Sequence, residues 1–132
     1  MSTLSTHALD TTLGRPAAGL PLMLEQQLDP QGWRQYCQAK MRGEDAPKTA
    51  WVKLASGTTN ADGRCPDLLP PGTQLAPGIY RMDFDTETYH HSLGQQGFYP
   101  IVQIVFEIRE TDQHYHVPLL LSGYGFSTYR GS

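Results

Sequence analysis

Residues 78–94 read GIYRMDFDTETYHHSLG, and this stretch predicts a β-strand that runs directly into a short helix. Apolar and aromatic residues recur in its first half, as is typical of strands. Asp85 and Thr86 then offer helix N-cap side chains, two apolar residues follow four positions apart, and Gly94 supplies a stop. The sequence therefore predicts one short helix over Asp85–Gly94 in a chain that otherwise consists of strands.

The rest of the chain repeats short segments rich in β-branched, aromatic and Leu residues, separated by clusters of Gly, Pro, Asn and Asp. This spacing is typical of an all-β sandwich in which turns join short strands. A length of 132 residues suits one modest core, so we expect a single domain over residues 1–132. Strands are predicted near Leu4–Leu9, Leu20–Leu28, Ala50–Ser56, Arg64–Leu69, Gly78–Asp85, Ile101–Arg109, His114–Ser122 and Tyr124–Tyr129.

One connection between strands is long and polar. Residues 33–48 read WRQYCQAKMRGEDAPK, carry charges of both signs and follow the turn-forming residues 29–32. Such a composition after turn residues predicts an exposed loop. We therefore interpret residues 33–48 as a surface loop insertion without a catalytic role.

Charge and composition argue against several kinds of partner. The formal net charge is -3, so the chain offers no broad basic surface for nucleic acid or for an anionic membrane. No apolar run approaches the roughly 18 residues of a membrane span, and the first ten residues lack both a basic leader and an apolar signal core. We expect a cytoplasmic protein with reduced Cys37 and Cys65, and with small molecules and protein subunits as partners.

Two segments carry side chains that suit catalysis. Residues 4–10 read LSTHALD, and strand alternation places His7 on the same face as Ser5. A single strand histidine is more often structural than catalytic. Arg64 follows the turn residues 60–63, and its guanidinium is a rigid fork of donors suited to carbonyl or anionic oxygens. Composition alone explains Arg64 as a surface arginine, so that alternative stays open.

Four further histidines lie in two pairs. His114 and His116 stand at i and i+2 of a predicted strand, so they share one face, and together with His7 they suggest a zinc site. No cysteine or clearly placed carboxylate completes such a site, so we predict no metal. His90 and His91 lie on the predicted helix, where we expect both to be solvated.

The last four residues of the chain have the composition of a site. Tyr129-Arg130-Gly131-Ser132 supply a phenol, a guanidinium and a hydroxyl directly after an apolar strand, whereas most chain ends are poorly ordered. The stretch HYHVPLLLSGYGFSTYRGS, residues 114–132, closely resembles the C-terminal signature of 5-hydroxyisourate hydrolases, enzymes of the transthyretin-like family. Residues 4–10 and the strand-then-helix pattern at 78–94 also resemble this family. Ile101 departs from it, because relatives commonly carry Glu there.

The resemblance implies a fold, an assembly and a reaction. The expected fold is a transthyretin-like sandwich of two antiparallel sheets with one short helix, and the expected assembly is a homotetramer, a dimer of dimers around a central channel. The implied reaction is hydrolytic opening of the six-membered ring of 5-hydroxyisourate to 2-oxo-4-hydroxy-4-carboxy-5-ureidoimidazoline, a step of urate degradation without cofactor. The implied catalytic residues are His7, Arg64, His116 and Ser132, and the implied substrate-binding residues are Tyr129, Arg130 and Gly131.

Five of these residues have a specific implied role. His7 and His116 form a general acid and base pair around a water molecule, since imidazoles with a pKa near ~6.5 do both near neutrality, and which of the two starts neutral is open. Arg64 stabilises the charge that develops on the attacked carbonyl. Ser132 and Tyr129 orient the substrate or the water.

A non-catalytic carrier is the competing function, because transthyretin uses the same sandwich and channel to carry thyroid hormone, and a fold alone does not settle function. The carrier lacks the site histidines and the YRGS ending that this chain retains. The residues therefore favour the enzyme. A third interpretation, a scaffold for other urate-pathway enzymes, leaves no trace in the sequence.

Overall fold

The computed structural model describes residues 2–131 of the chain, and in these residues eight strands form two four-stranded sheets with two connecting helices. Both helices join strands of the second sheet. Within the same residues, no helix is long and apolar enough to cross a membrane. The elements are β1 (Thr3–Asp10), β2 (Arg15–Pro16), β3 (Pro21–Gln27), α1 (Pro30–Met41), β4 (Trp51–Thr58), β5 (Gly78–Phe84), α2 (Thr86–Ser92), β6 (Val102–Ile108), β7 (His114–Leu121) and β8 (Phe126–Thr128).

The first sheet has the strand order β2-β1-β7-β8 and the second has the order β4-β3-β5-β6. Strands β1 and β7 run parallel, from Thr3 opposite His114 to Asp10 opposite Leu121. The remaining strand pairs are antiparallel. The predicted transthyretin-like sandwich is therefore confirmed, with one parallel pair at the centre of the first sheet.

Alternation along the strands gives each sheet a buried face and an outer face. On β1, Thr6 and Ala8 are buried, while Ser5 and His7 are half-buried. On β7, His116 is half-buried between buried neighbours. The polar side chains of β1 and β7 thus lie on the outer face of the first sheet. The core between the sheets includes Ala8, Leu22, Leu24, Tyr80, Met82, Phe84, Val102, Ile104, Tyr115, Val117, Leu119 and Leu121, and burying each of its larger side chains stabilises the fold by about 1.5–3 kcal/mol.

One predicted strand is wrong and one short strand was not predicted. Residues 64–69 form turns, and their link to the first sheet is a single bridge between Arg64 and His7. Pro66 interrupts this stretch, and a proline cannot donate to a strand ladder. Conversely, the turn-like residues Arg15 and Pro16 form the two-residue strand β2 at the edge of the first sheet. The other seven predicted strands are present.

Helix α2 confirms the predicted short helix. The Asp85 side chain caps its first turn by accepting a hydrogen bond from the backbone N–H of Thr88 at 3.1 Å. His91 is exposed, as expected, but the prediction that His90 is solvated is wrong, since His90 is 2% exposed. Its ring packs against Gly97, where an added Cβ would overlap the imidazole.

Helix α1 corrects two predictions, because it occupies the first part of the connection interpreted as a loop over residues 33–48 and makes a second helix. It begins at Pro30 after the N-cap Asp29, whose side chain accepts a hydrogen bond from Gly32 N at 3.0 Å. Two contacts fix it to the second sheet. Trp33 packs edge-on against Trp51 with ring centroids 5.9 Å apart, and Arg34 pairs with Glu107 at 2.7 Å.

Candidate active site

The parallel pairing of β1 and β7 brings two of the predicted histidines together. Ser5 of β1 lies opposite His116 of β7, so His7, two residues further along β1, is a diagonal neighbour of His116 on the same outer face. Both side chains are half-buried. The sheet itself therefore sets the spacing of the imidazoles.

A tight turn delivers Arg64 to the same face. The Asn60 side chain accepts hydrogen bonds from the backbone N–H groups of Asp62 and Arg64, at 2.9 and 3.1 Å. Gly63 has a φ of +76° and passes so close to β1 that an added Cβ would overlap the Ala8 carbonyl oxygen. The turn consequently places Arg64 opposite His7 in a single antiparallel bridge.

The turn also orients the His7 ring. The Nε2–H of His7 donates to the carbonyl oxygen of Asp62 at 2.8 Å. A carbonyl oxygen accepts but cannot donate, so this contact places a proton on Nε2. Nδ1 of His7 is then the nitrogen left for proton transfer.

His116 is contacted from both sides of β7, at its ring by β1 and at its backbone by the tail. Its Nδ1 lies 2.7 Å from the Ser5 hydroxyl oxygen. On the other side, Gly131 of the tail donates from its backbone N–H to the His116 carbonyl at 2.9 Å. An added Cβ at Gly131 would overlap the imidazole of His116, so only glycine lets the tail pass here.

The surroundings of His116 favour its neutral form. Burial lowers the pKa of His116, and the positive charge of Arg64 and the neighbouring His114 and His7 lower it further, against the opposing effect of a hydrogen bond that the imidazole donates to the Ser5 backbone. A histidine with a lowered pKa is neutral at pH 7. His116 is therefore available to accept a proton at neutral pH.

The tail residues separate into two groups. Tyr129 is exposed and lines, with His116, a cleft of about 470 Å³ beside β6. The Arg130 guanidinium lies 4.4 Å above the Tyr115 ring and donates to Gln113 at 2.8 Å. Tyr115 faces the core side of β7, so Arg130 is directed away from the histidines. Ser132, the predicted fourth catalytic residue, lies outside the described residues.

Sequence reasoning missed the polar partners of the histidines. Ser5, Thr3 and the Asp62 carbonyl all contact imidazole nitrogens. His114 was noted in the sequence as a candidate zinc ligand, yet both of its ring nitrogens lie within hydrogen-bond distance of the Thr3 and Ser5 hydroxyls. Among residues 2–131, no three His, Cys, Asp or Glu side chains are arranged to hold a metal ion. The i, i+2, i+4 spacing of Thr3, Ser5 and His7 was the available signal.

The fold and this face define a transthyretin-like sandwich that bears two imidazoles and a guanidinium on one sheet. A model of the HIUase/Transthyretin family matches residues 4–131. The chain belongs to this family.

Similar proteins include both branches of that family. The chain is 45% identical over 131 residues to the 5-hydroxyisourate hydrolase of Mus musculus, covering 99% of this chain and 96% of that protein. It is 41% identical to the 5-hydroxyisourate hydrolase of Salmonella typhimurium, and the alignment covers 98% of this chain and 80% of that protein. Among solved structures, Klebsiella pneumoniae 5-hydroxyisourate hydrolase superposes with a TM-score of 0.74 at 31% identity, covering 100% and 94%. Sea bream transthyretin in complex with thyroxine superposes with a TM-score of 0.75 at 27% identity. That superposition covers 97% of this chain and 93% of the transthyretin chain.

Proposed function

We propose that this protein is a hydrolase that opens the six-membered ring of 5-hydroxyisourate to 2-oxo-4-hydroxy-4-carboxy-5-ureidoimidazoline, a step of urate degradation. The observation that carries the proposal is the convergence of His7, Arg64 and His116 on one outer sheet face. Two proton-transfer groups beside one cation suit the hydrolysis of a cyclic amide, because they can activate water, protonate the leaving nitrogen and stabilise the developing negative charge.

His116 acts as the base in the proposed reaction. Because its pKa is lowered and its Nδ1 faces Ser5, its Nε2 removes a proton from water while the water oxygen bonds to the ring carbonyl carbon. As the carbon–nitrogen bond breaks, His7 acts in its doubly protonated form: Nε2–H stays on the Asp62 carbonyl, and Nδ1–H supplies a proton to the leaving ring nitrogen. His7 then regains one proton from solvent. One proton is taken and one is given, so the hydrolysis balances.

Arg64 stabilises the negative charge that develops on the attacked carbonyl oxygen. A guanidinium offers several donors in a fixed plane, and one donor of this kind is worth about 3 kcal/mol in the transition state. Tyr129 and Ser132 orient the substrate in this proposal. Gly131 makes room for the His116 ring, and Arg130 anchors the tail through Tyr115.

We propose a homotetramer, a dimer of dimers, as the working assembly. The edge strands β6 and β8 end their sheets, and residues of both line one cleft. Val105 and Phe126 at these edges are 43% and 40% exposed, so a second copy would extend both sheets and cover them. Two such dimers that meet through the outer faces of their first sheets would leave a channel between them, and the histidines would line it. Native mass spectrometry measures the assembly directly.

We also place the protein in the cytoplasm. Cys37 and Cys65 are both free thiols, which suits a reducing compartment. Burial raises the pKa of Cys65, and Asp67 adds to that effect, so this thiol is not activated as a nucleophile. Cell fractionation tests the location, and recovery in a secreted fraction would contradict it.

One assay tests the proposed function against the carrier alternative. Urate and urate oxidase generate 5-hydroxyisourate in the cuvette, and its absorbance then decays spontaneously. A hydrolase accelerates that decay, whereas a carrier binds the compound and leaves the decay unchanged or slower. The matched control is a variant in which His7 and His116 are both replaced by Asn, which should return the decay to its spontaneous rate.

A further inference from the structure

A chain of hydrogen bonds runs along the outer face beside His116. The Ser5 hydroxyl oxygen lies 2.7 Å from Nδ1 of His116 and 2.8 Å from Nε2 of His114. The other ring nitrogen of His114, Nδ1, lies 2.7 Å from the Thr3 hydroxyl. Because His114 is exposed and His116 is half-buried, the chain leads from the site to solvent.

The single hydroxyl proton of Ser5 gives this chain a direction. If the Nδ1–H of His116 donates to Ser5, the Ser5 hydroxyl donates onward to Nε2 of His114, and Nε2 of His116 is left as a base. In the reverse direction, Ser5 donates to Nδ1 of His116, and Nε2 then carries the proton. Ser5 therefore couples the tautomer of His116 to that of His114.

The Ser5 hydroxyl is not needed to hold the strands together. The parallel ladder of β1 and β7 already spans eight residue pairs through backbone groups. The neighbouring Thr6 has a different task, since its hydroxyl donates to the Val117 carbonyl at 2.7 Å on the buried side. The contacts of Ser5 are instead to two imidazoles on the outer face.

We propose that Ser5 is a positioning residue that holds His116 in the Nδ1–H tautomer, and that the Ser5–His114 chain carries the proton taken from water out to solvent. This inference rests on the proposed hydrolase function. The proton that water gives to Nε2 of His116 makes an imidazolium. Its Nδ1 proton passes to Ser5 as the Ser5 proton passes to Nε2 of His114. His114 then releases its Nδ1 proton to solvent, which leaves the chain reversed. After the product leaves, a solvent proton binds Nδ1 of His114, the shift runs back through Ser5, and Nε2 of His116 loses its proton, so the starting tautomers are restored and the protons balance.

One variant and two controls test the tautomer part without any turnover. Nitrogen-15 NMR of the imidazoles distinguishes protonated from unprotonated ring nitrogens in the folded protein. We expect the Nδ1–H tautomer of His116 in the wild type, a mixture of tautomers in Ser5→Ala, and the wild-type spectrum in Ser5→Thr, which keeps the hydroxyl. Ser56→Ala removes an exposed serine hydroxyl from the second sheet and should change nothing. An unchanged His116 spectrum in Ser5→Ala overturns the positioning role whether or not the protein hydrolyses anything.

Kinetics test the relay part. Ser5→Ala should lower kcat about 10- to 100-fold with little change in KM, and Ser5→Thr should restore it. The groups that face His116 are Arg64, His7 and His114, and all of them remain in these variants. His114→Gln should lower kcat in weak buffer about 10-fold, and added imidazole should restore it by accepting the proton in place of His114.

The outcomes separate this inference from the proposed function. If the wild type does not accelerate 5-hydroxyisourate decay, the hydrolase proposal fails, and the relay fails with it, while the NMR result still decides the positioning role. If the wild type is active and Ser5→Ala retains full kcat, the inference alone is wrong. A loss in His114→Gln that imidazole does not relieve overturns the proton exit through His114.

Discussion

The two sheets of this protein carry different polar surfaces on their outer faces. On the second sheet, Arg81 pairs with Glu25 at 2.8 Å, lies 3.4 Å from Asp83 and stacks over the Trp51 ring at 4.3 Å. On the first sheet, His7 and His116 bond to a carbonyl and a hydroxyl, which are neutral. Opposite charges that meet satisfy each other and stabilise the fold, whereas imidazoles with neutral partners keep a nitrogen for chemistry.

The two faces also differ in what borders them. Helix α1 lies along the second face, where Trp33 packs against the same Trp51 that stacks on Arg81. The first sheet is bordered by the tail, which continues the register of β8 along β7 and places Gly131 beside the His116 ring. Substitutions on the first face should therefore change activity, and substitutions on the second should change stability.

The largest expected effect on activity is that of His116→Asn. Asparagine keeps a polar side chain of similar reach but cannot accept and release a proton near pH 7, so kcat should fall about 100-fold or more. The measurement is 5-hydroxyisourate decay with purified protein. His91→Asn, which replaces an exposed histidine of α2, is the matched control and should keep wild-type activity. Equal activities in the two variants would remove His116 from the site.

Arg64→Lys should have the next largest effect. Lysine keeps the charge but replaces a rigid fork of donors with one mobile ammonium, so kcat should fall about 10- to 100-fold. Because Arg64 also lowers the pKa of His116 by its charge, the charge-conserving variant should leave the acid limb of the pH profile in place. A rate profile that retains its height but shifts along the pH axis would show that Arg64 acts only through His116.

Local sequence signals predicted most of the fold. The alternation of β1 and β7 and the cap at Asp85 depend on neighbouring residues, and both are present as expected. Helix α1 was missed because one buried residue, Ala39, gives it little apolar periodicity, and its contacts are with distant strands. The Arg64–Leu69 strand failed because Pro66 outweighed the apolar residues around it.

The site could also be predicted only in part, because its contacts join residues that are far apart in the sequence. The proximity of His7, Arg64 and His116 came from the family resemblance, since β1 and β7 are joined by nothing local in sequence. The partner of the Ser5 hydroxyl lies 111 residues away, so no short-range pattern points to it. The expected sheets were antiparallel, so the sequence did not predict the parallel pairing of β1 and β7 that places Ser5 opposite His116.

Gly131→Ala should give a smaller loss that arises from geometry alone. Its Cβ would overlap the His116 imidazole, so the ring or the tail must move, and a displacement of about 1 Å costs up to roughly 100-fold in rate. We expect about a 10-fold lower kcat with a nearly unchanged melting temperature. Gly123→Ala is the control, because its Cβ would meet open space. If the two alanine variants behave alike, the tail does not position His116.

The smallest expected effect concerns the second face, and it is on stability. Burial raises the pKa of Asp83 to about 7, and the adjacent Glu25 adds to the shift, while Gln103 and Arg81 oppose it. The folded protein therefore holds the Asp83 proton over a range where the unfolded chain, with a pKa of about 3.9, has lost it. The stabilisation from that proton is complete below about pH 4 and is lost as the pH rises through about 7.

Asp83→Asn removes this titration and keeps an N–H donor toward Glu25. The free energy of unfolding should then vary less with pH between about 4 and 7, and at pH 8 the variant should be more stable than the wild type by about 1–2 kcal/mol. Urea unfolding at several pH values measures both, with Asp45→Asn, an exposed carboxylate, as the control. Hydrolysis should be unchanged, because the ion pairs of the second sheet do not reach the histidines. A loss of activity in Asp83→Asn without a change in stability would show that the two faces are coupled through the core.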